Sequence, residues 1–258
     1  MTSRLSAITW NTFREAVRDR VLYNLVLFVL LLVASAPLFS QISIGLEKLM
    51  LVNVGLSSIS LFGVIIAIFV GIGLVSKEIE KKTLYTILSR PVRRWEFIAG
   101  KYLGLLLTLV VNAALMTVGF YVALLIFIGG LKKTDAMLLA AIYFILLQFM
   151  IMVALTLLFS TFSTPIFSAI FAFALFVIGT FGEDLKNFAA MSHGATKWLA
   201  TAAAYVMPNF ASLNVIAQVA HEQSVSAHLI IFNTVYAVLY SIAVTTAAVL
   251  IFERRNLK

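Results

Sequence analysis

The chain has 258 residues, 62% of them hydrophobic and 12% charged, with a formal net charge of +8 and no cysteine. Such a composition excludes a soluble globular domain with a solvated surface, and the missing thiols exclude disulfides and any cysteine nucleophile or thiolate metal centre. A mean hydropathy of +1.05 instead predicts an all-α polytopic membrane protein, because only helices satisfy their own backbone hydrogen bonds one segment at a time in lipid.

Residues 1–20 place Leu5, Ile8, Thr12, Phe13, Ala16 and Val17 on one helical face, and Arg4, Asn11, Arg14, Glu15, Arg18 and Asp19 on the other. That pattern predicts an interfacial amphipathic helix with Arg14, Arg18 and Arg20 at head-group level. It serves either as a topology anchor or as an elbow that passes movement into the first span. Uncharged runs follow at 21–46, 49–76, 102–131, 136–182 and 223–252, each longer than the roughly 20 residues that cross a bilayer core. The 47-residue run holds two spans, broken at Ser163, Thr164 and Pro165, because proline ends a helix. Six transmembrane helices result, near 21–46, 52–76, 102–130, 136–162, 165–182 and 228–252, in a single domain covering 1–258. Residues 34–36 have the small-x-small form of a signal-peptide cleavage site, but the apolar run continues to Leu46 and Pro37 follows the cut, so a span is the better reading.

Between the second and third spans lies a charged island, residues 77–101, with ten charged residues in 25. Residues 78–88 are expected to form about three helical turns with Leu84, Ile87 and Leu88 on one side, ended by Ser89, Arg90 and Pro91. Arg93, Arg94, Trp95 and Lys101 then suit the head-group zone. Gly100 and Gly104 form a small-xxx-small pair that marks close helix packing. Segment 183–227 is read as external, with two short external or half-buried helices separated at Met207, Pro208 and Asn209. Lys and Arg number fourteen in the N-terminal segment, the island and the C-terminus, against five in the remaining loops. The positive-inside rule therefore puts both termini in the cytoplasm. It also accounts for the +8 charge without a nucleic-acid partner, through lipid head groups.

Several motif fragments carry no chemistry. Gly100 and Lys101 end like a phosphate-binding loop, but Trp95 stands where its first glycine belongs and Tyr102 replaces the magnesium-binding hydroxyl. His221 and Glu222 open like a zinc-protease helix, yet Val225 holds the second histidine's place, so no metal site is expected. The stretch around Ser57 and Ser58 lacks the second glycine of a nucleophile elbow. No Asp, Glu, Lys or Arg lies inside a span away from its ends, which leaves no carrier for a coupling ion. Any energy for transport must then come through another protein.

Lys77, Glu78, Glu80, Thr83, Leu84, Leu88, Ser89, Pro91, Arg94, Gly100 and Lys101 together resemble the cytoplasmic loop of the ABC-2 type permeases, the membrane subunits of type-2 ABC exporters. The resemblance extends over the chain, through Phe13 to Ala16 and Arg18 to Arg20, Met207 to Phe210 with Leu213 and Asn214, and Phe252 to Arg255. It implies a six-span permease whose ATPase is a separate subunit, working as a homodimer or with a similar permease. It implies a coupling helix in which Glu78, Glu80, Thr83, Leu84, Tyr85, Leu88, Ser89, Arg90 and Pro91 meet the ATPase. ATP and magnesium would sit on that partner, with no cofactor or catalytic residue on this chain. An intramembrane enzyme or an accessory scaffold without transport activity is the alternative.

Overall fold

The structure, a computed structural model, describes residues 2–18, 27, 28, 31, 46–80, 93–130 and 132–254. The described residues form helices α1 (Thr2–Arg18), α2 (Glu47–Glu80), α3 (Arg94–Ile128), α4 (Leu138–Phe162), α5 (Pro165–Thr180), α6 (Gly182–Met191), α7 (Gly194–Val206), α8 (Ile216–Ala220) and α9 (Ala227–Arg254), with single 3-10 turns at Lys133–Met137 and Ala211–Leu213. No strand occurs among them.

The central element is α4, whose residues Leu138, Ala141, Phe144, Ile145, Phe149, Met152, Leu155 and Leu157 are buried and which touches α2, α3, α5 and α9. Buried on nearly every side, it has no polar face, in keeping with a helix enclosed by other helices. Around it, α2 and α3 run antiparallel. Gly55 of α2 lies under Phe120 and Gly71 lies beside Leu105, while Gly63 between them receives the ring of Phe149 from α4. A Cβ at any of these three glycines would occupy the space of its neighbour, so the eight-residue spacing of small residues sets how closely the three helices approach.

Four helices are long and apolar enough to cross a membrane, Glu47–Gly73, Arg94–Ile128, Thr134–Phe162 and Ala227–Arg254, and two bent pairs raise the number to six. The pairs are α5 with α6, bent by 62°, and α7 with Ala211–Ala220, bent by 43°. The expected span at 21–46 lies outside the described residues except at Leu27, Phe28, Leu31 and Leu46, whereas the second bent pair falls in the segment read as external. The long helices also overrun their expected ends. α2 continues to Glu80 and α3 starts at Arg94, giving each a length of about 50 Å against a core of roughly 30 Å. Both helices thus carry part of the charged island on their own backbones.

α5 is the short member. Its 16 residues reach about 24 Å, less than a full crossing. Thr164, extended ahead of Pro165, starts the helix, since proline at the first helical position forfeits no hydrogen bond. At the other end, Phe210 N–H donates to Gly179 O at 2.9 Å, and a side chain at Gly179 would strike Pro208 and Phe210. Tyr236 of α9 accepts the Asn209 N–H at 2.8 Å, and the Tyr240 hydroxyl donates to Val206 O at 3.1 Å. The Met207 to Phe210 break therefore packs nine to thirteen residues inside α9, alongside the bundle, where it fills the space above the truncated α5.

Candidate functional site

Three places concentrate polar groups. The first is the end of the bundle where α3 begins, α2 ends and α9 ends. Glu96 reaches back to accept the Arg93 N–H at 3.0 Å, satisfying one of the donors a helix start leaves open. The guanidinium of Arg94 donates to the carbonyls of Phe252 at 3.0 Å and Glu253 at 2.7 Å. It thereby caps the last turn of α9, where cations are favoured. Phe97 stacks on Phe252, centroids 5.7 Å apart. The start of α3 is consequently tied to the C-terminal helix.

On this same end α1 lies in a groove of α3. A Cβ at Gly100 would come within 2.5 Å of Ile8, and one at Gly104 within 2.5 Å of Thr12 and 2.7 Å of the Thr9 carbonyl. Only glycine admits so close an approach of two backbones. Beside the contact Lys101 is buried, its ammonium 3.6 Å from Glu15 and 5.7 Å from the centre of the Phe97 ring. Arg14, on the exposed side, lies 5.3 Å over Trp10.

The second place is the opposite end. Lys48, in the first turn of α2, contacts Asp135 at 2.7 Å and Glu222 at 2.9 Å. Asp135 belongs to the turn between α3 and α4, where its Oδ2 accepts the Lys132 N–H at 2.7 Å and its carbonyl accepts the Tyr121 hydroxyl at 2.8 Å. Glu222 sits between α8 and α9 in the left-handed region, φ 58°. The hydrogen bond from Lys48 holds its carboxyl below the usual value, aided by the charges of Lys48 and Lys132. One ammonium thus fastens the start of α2 to two connections.

The third is a cavity of about 150 Å³ in the body of the bundle, lined by Ser57, Ser60, Gln148, Thr180 and Asn214 together with the rings of Phe176 and Phe210. Gln148 Nε2 donates to Ser60 Oγ at 3.0 Å. Among the described residues, no group of three or more His, Asp or Glu is placed to hold a metal.

A family described as ABC-2 family transporter protein matches residues 6–257. The chain belongs to that family. It is a multi-pass membrane protein and a membrane component of an ABC transporter, a family whose permeases usually work with an ATPase partner and often dimerise. No curated protein matches the chain at a significant level.

In this ABC-2 protein the residues singled out from the sequence separate into groups. Thr83, Leu84, Tyr85, Leu88, Ser89, Arg90, Pro91 and Arg20 lie outside the described residues. Glu78 and Glu80 are on the last turn of α2 and Arg18 ends α1. Arg93 and Trp95 are exposed at the start of α3. Gly100, Gly104 and Lys101 are brought together with α1, and Lys101 is enclosed there instead of reaching to the surface. On α1, Val17, read on the apolar face, is exposed, and Glu15, read on the polar face, turns toward Lys101. Sequence reasoning missed the ion cluster, the Gly55, Gly63 and Gly71 ladder and the cavity. It also missed Asn112, buried in mid α3 with neither amide atom hydrogen-bonded. The glycine spacing was visible in the sequence; the cluster joins residues 87 positions apart and had no local signal.

Proposed function

We propose that this chain is the permease subunit of an ATP-driven exporter, a homodimer or a heterodimer with a similar permease seated on two ATPase subunits in the cytoplasmic membrane. Both termini and residues 77–101 face the cytoplasm. ATP and magnesium are held by the partner ATPase, and the short helix expected in the island docks there through Leu84 and Leu88, with Glu78, Glu80, Thr83, Tyr85, Ser89, Arg90 and Pro91 around them.

The observation that carries this reading is the continuity of α2 through Glu80 and of α3 from Arg94. A push on the connection between them acts directly on two helices that run the length of the bundle. Arg94 passes it to α9 through two hydrogen bonds, and Gly100 and Gly104 pass it to α1. Packed helices shift as bodies because a close-packed interior does not deform continuously.

The test is Leu84→Asp with Leu88→Asp, compared with Lys186→Asp with Lys197→Asp on exposed positions of α6 and α7. Unpaired charge against an apolar groove costs several kcal/mol, so the first pair of changes should abolish co-purification with the partner ATPase, or uncouple its ATP turnover. The second pair should leave both intact. A Leu84/Leu88 variant that assembles and transports normally refutes the docking.

A further inference from the structure

The cavity between α2, α4, α5 and the Phe210 to Ile216 stretch is distinguished by its chemistry. Among the described residues its five polar side chains are all neutral and none of the lining is charged. Gln148 is 6% exposed, and an amide offers two donor hydrogens and two acceptor lone pairs. Among the described residues Ser60 is its one side-chain partner and leaves part of that capacity unused. The Thr180 hydroxyl spends its hydrogen on Phe176 O at 2.7 Å and keeps acceptor lone pairs. Asn214 accepts the Ile216 N–H at 3.3 Å through Oδ1, which leaves its amide hydrogens available.

Position and shape narrow the ligand. Gln148 is ten residues into α4, about 15 Å along it, and Thr180 is the last residue of α5. The cavity is therefore near the middle of the bilayer, on the reading that these helices span it. Its mouth is on the side of the bundle: Leu61 is 48% exposed, and Ser57, one turn earlier on the same face of α2, is exposed too. The volume of about 150 Å³ is below the roughly 300 Å³ at which whole-ligand pockets begin. It fits an end group, with the remainder of the molecule outside the mouth, where the surroundings are lipid.

We propose that this cavity binds the uncharged, hydrogen-bonding end of an amphiphile that enters sideways from the bilayer, its apolar part staying between Leu61 and the lipid. A hydroxyl or amide end can use the spare donors of Gln148 and Asn214 and the acceptor of Thr180. A charged head group would lose its hydration to a site with no countercharge among the described residues. The proposal assigns a ligand class to the transporter and rests on the membrane-spanning reading above.

The experiment uses the full chain in phosphatidylcholine nanodiscs without its ATPase, so its outcome is independent of the Leu84 and Leu88 test. Two photoactivatable probes with identical acyl chains are compared, a diacylglycerol and a phosphatidic acid, and the labelled peptides are identified by mass spectrometry. The diacylglycerol should label the segments around Ser57 to Leu61 and Phe210 to Ile216 at least tenfold more than the phosphatidic acid. Gln148→Leu should remove most of that labelling. So should Leu61→Trp, which narrows the mouth at an exposed position and is expected to leave folding intact. Equal labelling by both probes, labelling indifferent to both substitutions, or no labelling there overturns the proposal, the last result marking a hydrated void or a protein contact.

Discussion

At the scale of single residues, Lys48, Asp135 and Glu222 show how three isolated charges become one structural element. Lys48 comes from the first turn of α2 and the two carboxylates from two different connections, and together they hold the end of the bundle that lacks the island. Glu222 is exposed, so its link to Lys48 is open to solvent screening and contributes modestly. Its sign is nonetheless fixed. The folded-state carboxyl titrates below the ordinary 4.5 because Lys48 hydrogen-bonds the ionised form, so folding favours ionisation. The stabilisation is complete above the ordinary carboxylate value and is lost as pH falls through the lowered folded value. Glu222→Gln should therefore melt slightly below the wild type at pH 7 in detergent, and the gap should close as the pH is taken below about 4.5. A gap that widens toward low pH would mean that Lys48 does not favour the ionised carboxylate.

The clearest case among the elements is α1. Its amphipathic pattern was legible in the sequence, and so was the small-xxx-small pair at Gly100 and Gly104, but nothing in the sequence said that one is the seat of the other. Helical periodicity reports which face is apolar, not which partner covers it. The Glu15 and Lys101 pair accounts for the inward turn of Glu15, since a charge that meets a countercharge is favoured there. A bulky residue at Gly104 should then dislodge α1. Gly104→Leu would overlap Thr12 and the Thr9 carbonyl, and overpacking of this kind costs about 1 to 3 kcal/mol. Because the chain has no native cysteine, Thr12→Cys supplies a unique thiol that is buried in the docked helix. Its reaction with a small maleimide should be slow alone and about tenfold or more faster with Gly104→Leu, about 1.4 kcal/mol corresponding to a factor of ten. Unchanged protection would show that the α1 contact does not depend on this seat.

Over the whole molecule, what the sequence made legible was the feature lipid enforces most strictly. Charge is excluded from the core, so uncharged runs reveal the long helices α2, α3, α4 and α9 directly. The region from Pro165 to Ala220 was less legible, because its helices are each shorter than a span and are joined by bends at Phe181 and at Met207 to Phe210. Run length alone does not separate a bent span from an external hairpin. The tyrosines that anchor the break, Tyr236 and Tyr240, lie on a helix more than 20 residues further along. The cavity escaped for the same reason: its polar side chains come from four separate segments and meet only on folding.

Sidedness follows from the distribution of basic residues and can be tested on the same cysteine-free background. Fourteen of the nineteen Lys and Arg fall in the N-terminal segment, the island and the C-terminus. The structure gathers described parts of all three, Arg14, Arg94 and Arg254, at one end, where α1, the start of α3 and the end of α9 meet. The Lys48, Asp135 and Glu222 cluster marks the other end. Moving the basic end out across the membrane would set its charges against the orientation rule, so that end should be cytoplasmic. Single substitutions Ser89→Cys, Ala136→Cys and Ala195→Cys sample the island, the α3 to α4 turn and the α6 to α7 turn, and Ala136 and Ala195 are exposed. In intact cells a membrane-impermeant maleimide should label Ala136→Cys and Ala195→Cys but not Ser89→Cys, and permeabilisation should make all three reactive. Labelling of Ser89→Cys in sealed cells would invert the topology and remove the island from any cytoplasmic ATPase. Protection of Ala195→Cys alone, with Ala136→Cys labelled, would instead bury the α6 to α7 turn below the outer surface while leaving the orientation of the bundle in place.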